Sequence, residues 1–407
     1  MRSLRERLIG LRRRPFEPRD SGEAAALRDR VARLRPDGHR HSRERGFASE
    51  CELAGHLGAR WLEDGLLLVE RTYPLDFSHG RSSFTGLQDC SSAAIYGGCE
   101  VPVPSMAFVD TETTGLAGGT GTVVFLLGIA RLGDGQLQVS QLLLTRFAAE
   151  PPLLDAAVQR LDGTSALVSY NGKGFDLPLL AARHRMHARA DPFAGRRAHL
   201  DLLYPTRRAF GSVWADCRLQ TAERELVGLR REGDIPGFEI PQVWFDLVGS
   251  GSVDRLPAVL EHNRLDLLSL AALIIELPRV FADPARFGAD GEAIGRGYLR
   301  EGDELGALRC LRAARDQLTE TGLLELARLY RRRGDWAEAV QIWERLAARG
   351  SAHALVQLSK YHEHLRRDPR RALEFAHRLI ALEGPGHDHE RRVARLRRRL
   401  GRLTDDA

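Results

Sequence analysis

Asp110 and Glu112 stand two residues apart at the end of the apolar run Met106-Ala107-Phe108-Val109. Side chains two apart on a strand project from the same face, so both carboxylates enter one small volume. Two anions that close call for a cation; the plainer alternative is an acidic strand-to-turn junction with Thr113 and Thr114 as turn or capping residues. Farther on, Leu167-Val168-Ser169-Tyr170 reads as a strand running into Asn171-Gly172-Lys173-Gly174-Phe175-Asp176 and then an apolar helix. Asp176 there is either the cap of that helix or a third acid of the site. The two glycines permit close backbone approach to a ligand, and Asn171 or Lys173 could meet a phosphate or sugar. A third element is helical: His262 and Asp266 are four residues apart and share the face that continues through Leu270 and Leu273 toward a core. An inward carboxylate needs a counter-charge, from a metal ion or from an arginine, and Arg264 points elsewhere on that helix.

These residues need a scaffold. Met106 to Val109 is a first strand; Thr122 to Leu132 and Gln136 to Leu144 are two more, joined by the hairpin turn signal Gly133-Asp134-Gly135. Pro151-Pro152 opens a helix at about Leu153 to Leu161, followed by a short strand from Ala166 to Tyr170, a helix, a strand near His199 to Leu203 and a long closing helix. Three consecutive strands followed by alternating helices and strands predict an α/β fold, a mixed five-stranded sheet with helices on both sides, as in ribonuclease-H-like domains. Asp201, just after the last strand, reads as a helix cap, with support of the site from behind as its other role.

The chain has 407 residues, enough for two or three compact units. Its longest apolar stretches, Thr122 to Ala130 and Leu267 to Leu277, fall short of the ~18 to 20 residues that span a bilayer, so no membrane anchor is expected. The Arg-rich start carries Glu6, Glu17, Asp20 and Glu23 and lacks an apolar core, which disfavours a signal or transit peptide and makes the cytoplasm the expected compartment. Cys51, Cys90, Cys99, Cys217 and Cys310 are scattered without metal-ligand spacing and read as reduced structural thiols. Net charge is +5, carried almost wholly by arginine since Lys173 and Lys360 are the only lysines; this permits nucleic-acid binding without demonstrating it.

Taken jointly, the three segments resemble the DEDD superfamily of 3′–5′ exonucleases within the ribonuclease-H-like fold, over about residues 104 to 280, and are most similar to its bacterial YprB-like branch. Asp110-Thr111-Glu112-Thr113-Thr114-Gly115-Leu116 matches the first motif, Asn171 to Asp176 the second and the His262–Asp266 helix the third. Family members carry a tyrosine four residues before the last aspartate or a histidine five before it; here His262 takes the tyrosine's place and Glu261 stands at the five-before position. The resemblance implies that Asp110, Glu112, Asp176 and Asp266 hold two divalent cations, Mg²⁺ or Mn²⁺, about 3.5–4 Å apart across the scissile phosphate. It implies His262 as the general base, its unperturbed pKa of about 6.5 suiting that work, and Thr113, Thr114 and Leu116 as the lining for a terminal nucleotide. The implied activity is 3′–5′ hydrolysis of single-stranded DNA or RNA ends. A structure-selective endonuclease and a non-catalytic nucleic-acid-binding or repeat-scaffold protein are the alternatives.

Beyond Pro278, Tyr298, Gly302 and Ala307 are echoed by Tyr330, Gly334 and Ala339, and more loosely by Tyr361 and Ala372. This resembles tetratricopeptide repeats of paired helices, with docking on the nuclease domain expected and a protein-partner groove as a further possibility. The expected organisation is therefore residues 1–95 of unassigned role, 96–282 the nuclease domain, 290–385 an all-α repeat domain and 386–407 a basic helix or frayed tail. Within the first region, Arg28 to Leu34 reads as helix and Leu66-Leu67-Leu68-Val69 as strand.

Overall fold

The structure, a computed structural model, describes residues 50–95, 97, 100–115, 121–191 and 198–405; the helix expected at Arg28 to Leu34 and the expected pocket residue Leu116 lie outside them. Its strands are β1 (Ala59–Glu63), β2 (Leu66–Pro74), β3 (Ser78–His79), β4 (Ser82–Ser83), β5 (Met106–Thr113), β6 (Val124–Gly133), β7 (Gln136–Leu144), β8 (Ala166–Ser169) and β9 (Ala198–Asp201). Seven of them form one mixed sheet in the order β1-β2-β7-β6-β5-β8-β9, while β3 and β4 make a separate two-stranded ribbon. β5 pairs antiparallel with β6 and parallel with β8, and β8 pairs parallel with β9.

The expected five strands become seven because the β1–β2 hairpin extends the sheet beyond β7. β2 pairs with β7 along its whole length, from Leu66 opposite Leu144 to Pro74 opposite Gln136. The reason is in the run Leu66-Leu67-Leu68-Val69: all four side chains are buried, so both faces of this strand are covered and the ladder satisfies the backbone they enclose.

The first helices are α1 (Glu50–Leu57), α2 (Glu150–Leu161), α3 (Asp176–Met186), α4 (Leu203–Phe210), α5 (Leu219–Ala222), α6 (Ile240–Ser250) and α7 (Leu256–Ala282). On β5, Met106 and Phe108 point into one core, shared with Leu267 to Phe281 of α7 and with α4; Ala107 and Val109 point into the other, with α2 and α6. β5 continues through Thr113 rather than ending at Val109, so Asp110 and Glu112 extend the Met106 and Phe108 row within the strand. The β6–β7 turn has Asp134 at φ 48° and Gly135 at φ 71°, the left-handed pair that a two-residue hairpin requires.

Beyond the sheet come three helix pairs: α8 (Gly291–Arg300) with α9 (Glu304–Ala313), α10 (Glu320–Arg333) with α11 (Trp336–Ala348), and α12 (Ala352–His364) with α13 (Pro369–Glu383). The sequence echo has a packing cause, since Ala307, Ala339 and Ala372 are each fully buried in the second helix of a pair and Tyr298 and Tyr330 are buried near the end of the first. This region rests on the sheet domain: Asp290 donates its backbone N–H to the Ala209 carbonyl at 2.7 Å, and Arg208 pairs with Glu301 at 2.8 Å. The basic C-terminal segment is a helix, α14 (His387–Asp405), with Val393 and Leu396 packed on Ala372 and Ala376 of α13. No helix among the described residues is long and apolar enough to cross a membrane. Among them Cys90, Cys217 and Cys310 are free thiols.

Candidate metal centre

Asp110, Gly128 and Gln141 lie side by side in register across β5, β6 and β7. The glycine makes a notch in this row: a Cβ on Gly128 would meet Leu267 Cδ1 at 2.7 Å, so α7 can approach the sheet only there. Into the notch drops Asn263, fully buried, which donates to Asp110 Oδ2 at 2.7 Å and accepts from Gln141 Nε2 at 2.8 Å. Gln141 also donates to the Leu260 carbonyl at 2.8 Å. This amide clamp fixes how the helix carrying His262 and Asp266 sits over Asp110.

Asp176 arrives from the other side on the turn after β8. Asp201 accepts the backbone N–H groups of Asn171 at 2.7 Å and Lys173 at 3.0 Å, and that of Leu203 at 3.1 Å. It therefore takes up the first N–H of α4, whose N-cap is Leu202, and holds the turn that presents Asp176. Asn171 takes the left-handed conformation, φ 66°, and a Cβ on Gly172 would meet Ser169 Cβ at 2.7 Å and Asp176 Oδ2 at 3.1 Å. The capping alternative for Asp176 is corrected: the residue is the first of α3, whose N-cap Phe175 makes no side-chain cap bond, and its carboxylate accepts from the Thr111 hydroxyl instead.

Asp266 meets an arginine. Arg231 donates to Asp266 Oδ1, to Glu223 and, at 3.1 Å, to Asp234 Oδ2. The arginine counter-charge weighed for Asp266 is thus present, supplied from about 35 residues away rather than by Arg264, which pairs with Glu261 and donates to the Tyr73 hydroxyl at 2.7 Å. His262 lies between two carboxylates, its Nδ1 2.8 Å from Asp234 Oδ1 and its Nε2 3.9 Å from Asp266 Oδ2.

The four expected acids form one electrostatic cluster. Burial, followed by the charges of Asp266, Glu112 and Asp176, holds the Asp110 carboxyl well above the usual range, against the pull of the Asn263 hydrogen bond. Glu112 is likewise pushed far up by burial and then by Asp266, Asp176 and Asp234, with Arg231 opposing. Asp176 is raised to about 6, chiefly by burial and against the Thr111 hydrogen bond. Among the described residues no three His, Cys, Asp or Glu side chains are arranged as a ready coordination sphere: Asn263 engages Asp110, Thr111 engages Asp176 and Arg231 engages Asp266. The donor set nonetheless suits a hard cation, being all carboxylate oxygen, with the charges of Asp176 and Asp266 raising the proton affinity of Asp110 and Glu112.

Of the remaining expected residues, Thr113 donates its hydroxyl to the Gly115 carbonyl at 3.0 Å, and the buried Thr114 hydroxyl accepts the Val123 N–H at 3.0 Å, closing the loop after β5. Asn171 and Lys173 are exposed, with Lys173 Nζ 5.4 Å from the Tyr204 ring centroid. Sequence reasoning missed Thr111, Gln141, Glu223, Arg231, Asp234 and Asn263. Asn263 was open to discovery as a polar residue on the inward face of an apolar helix; the segment around Arg231 offers turn residues only.

A family model described as RNase_H superfamily matches residues 107–277, the span that contains all four acids. Over 375 residues the chain is 30% identical to "Uncharacterized protein YprB" of Bacillus subtilis (strain 168), covering 87% of this chain and 91% of that one. The chain belongs to the YprB family, and its residues 107–277 form an RNase_H superfamily domain. A family B DNA polymerase from the hyperthermophilic archaeon Pyrobaculum calidifontis superimposes with a TM-score of 0.37 at 15% identity, over 76% of this chain and 39% of the polymerase, so the chain spans about two fifths of that protein. Membership in the superfamily supports a nuclease-type activity on nucleic acid, and ribonuclease-H-like nucleases generally use divalent metals.

Proposed function

We propose that the chain is a metal-dependent nuclease that hydrolyses phosphodiester bonds at the 3′ end of single-stranded DNA or RNA. The observation that carries this is the electrostatic cluster of Asp110, Glu112, Asp176 and Asp266, in which burial and the charges of Asp176 and Asp266 hold Asp110 and Glu112 well above ordinary carboxylates, while burial raises Asp176. Those four residues would hold two divalent cations, Mg²⁺ or Mn²⁺, which when bound supply Lewis acidity toward the phosphate and the water that attacks it.

The chain's own groups do the rest. Asp234 accepts from His262 Nδ1 and so leaves Nε2, on the Asp266 side, free to take a proton from water as general base. Asn263 and Thr111 orient Asp110 and Asp176. Thr113 and Thr114, with Leu116, belong to the proposed lining for the terminal nucleotide, and Asn171 and Lys173 on the exposed turn would meet its sugar and phosphate. Phe175 and Tyr204 stand 55% and 54% exposed beside that turn, aromatic faces suited to an unstacked base, which favours single strands over duplex.

Single strands labelled at the 5′ end and incubated with manganese should shorten progressively, while Asp110→Ala and Asp266→Ala leave them intact; identical behaviour of wild type and both variants removes the enzyme assignment. Opening of a circular single strand would establish the endonuclease alternative instead.

A further inference from the structure

Arg231 occupies the position of an internal cation. Its side chain is 5% exposed, and its guanidinium is anchored from behind by Glu223, itself 1% exposed. Glu223 also accepts from the Ser269 hydroxyl, and His79 Nε2 completes the chain 2.8 Å from Ser269 Oγ. Since the single hydroxyl proton of Ser269 goes to Glu223, His79 must be the donor in that last bond. None of these anchors is one of the four clustered acids. From this base the guanidinium reaches forward to Asp266 Oδ1 and Asp234 Oδ2, and its charge also acts on Glu112, which it does not touch.

We propose that Arg231 is the resident counter-cation of the carboxylate cluster: it stabilises the metal-free fold by neutralising Asp266, and by the same charge it loosens the hold of the site on divalent ions, so that they exchange rather than lock in. This rests on the reading of the cluster as a metal centre. A unit charge beside the cluster must oppose an incoming divalent cation, whatever small shifts accompany binding. A guanidinium that serves only to brace Asp266 has the opposite consequence, because its removal would free a ligand and weaken the site.

Calorimetric titration of the full chain with manganese separates the two. Arg231→Gln is expected to bind manganese about tenfold or more tightly than wild type, to melt lower than wild type in chelator, and to regain that loss in saturating manganese. Arg231→Lys, which keeps the charge but not the fork, is expected to stay closer to wild type than Arg231→Gln does. Equal or weaker binding by Arg231→Gln overturns the proposal. Should that variant fail to fold even with manganese, Glu223→Gln decides: it leaves the guanidinium but strips its buried counter-charge, so binding should weaken several-fold, and unchanged or tighter binding overturns the proposal. Wild-type protein that binds no manganese at all sinks the metal-centre reading, whereas wild-type binding left unchanged in Arg231→Gln sinks this inference alone.

Discussion

Asn263 on α7 fits against Gly128 on β6, and only the missing Cβ allows the amide to reach Asp110 on one side and Gln141 on the other. Gly128→Ala should therefore lift the helix that carries His262 and Asp266. We expect a loss of about 1–3 kcal/mol in urea unfolding, the usual cost of overpacking, together with a fall in cleavage. Gly121→Ala, where a Cβ meets nothing within 4 Å, is the control. Equal stability of the two variants would show that the notch does not set the helix position.

Asp110→Asn should separate stability from activity. The native carboxylate is buried among like charges, so replacing it with a neutral isostere relieves repulsion in the metal-free protein. In chelator the variant should melt about 2 °C or more above wild type while cutting nothing. A lower melting temperature would mean that the Asn263 hydrogen bond outweighs the repulsion.

Asp234→Asn keeps the shape of the residue beside His262 but lets an amide N–H face Nδ1, which favours the tautomer carrying its proton on Nε2. Turnover should fall by roughly 10²–10⁴, the range of acid–base catalysis, with little change in substrate KM. A variant that keeps full turnover would remove His262 from the role of base.

His79 gives the fold an acid limb. Burial, with Arg231 and Arg264 adding to it, lowers its pKa to about 4 from an ordinary value near 6.5. Between those two values the unfolded chain binds a proton that the folded chain does not, so stability rises with pH across this window and is lost as pH falls through it. The loss is on the order of 3 kcal/mol when the whole window is crossed. His79→Gln, which keeps a side-chain donor, should flatten the pH dependence of the urea midpoint between about pH 4 and 6.5 relative to wild type; parallel curves would contradict the assignment.

The parts of this fold open to sequence reading were those written in local periodicity. The alternation through Gln136 to Leu144 and the Gly133-Asp134-Gly135 turn placed the central hairpin, and the two-residue spacing of Asp110 and Glu112 put them on one face. The spacing of Ala307, Ala339 and Ala372 marked the helix pairs because each alanine must fit against a neighbouring helix. What stayed hidden depends on contacts between distant segments. Leu66 to Val69 announces a strand but not its partner, and so its place in the sheet, and the strand β1 beside it, went unread. Arg231 follows a π-helical turn at Glu223 to Val227 in a segment without periodicity, and nothing in its neighbours signals that it will be buried against Asp266. Asp176 looked like a cap because its place at a helix start fits both roles; the Thr111 hydroxyl that its carboxylate accepts comes from β5, a distant segment that no local pattern announces.

Crystals grown with manganese, measured at a wavelength where manganese scatters anomalously, test the central claim most directly. The account predicts anomalous peaks bounded by the carboxylates of Asp110, Glu112, Asp176 and Asp266. Well-ordered carboxylates with no peak among them, at manganese concentrations that support cleavage, would contradict it.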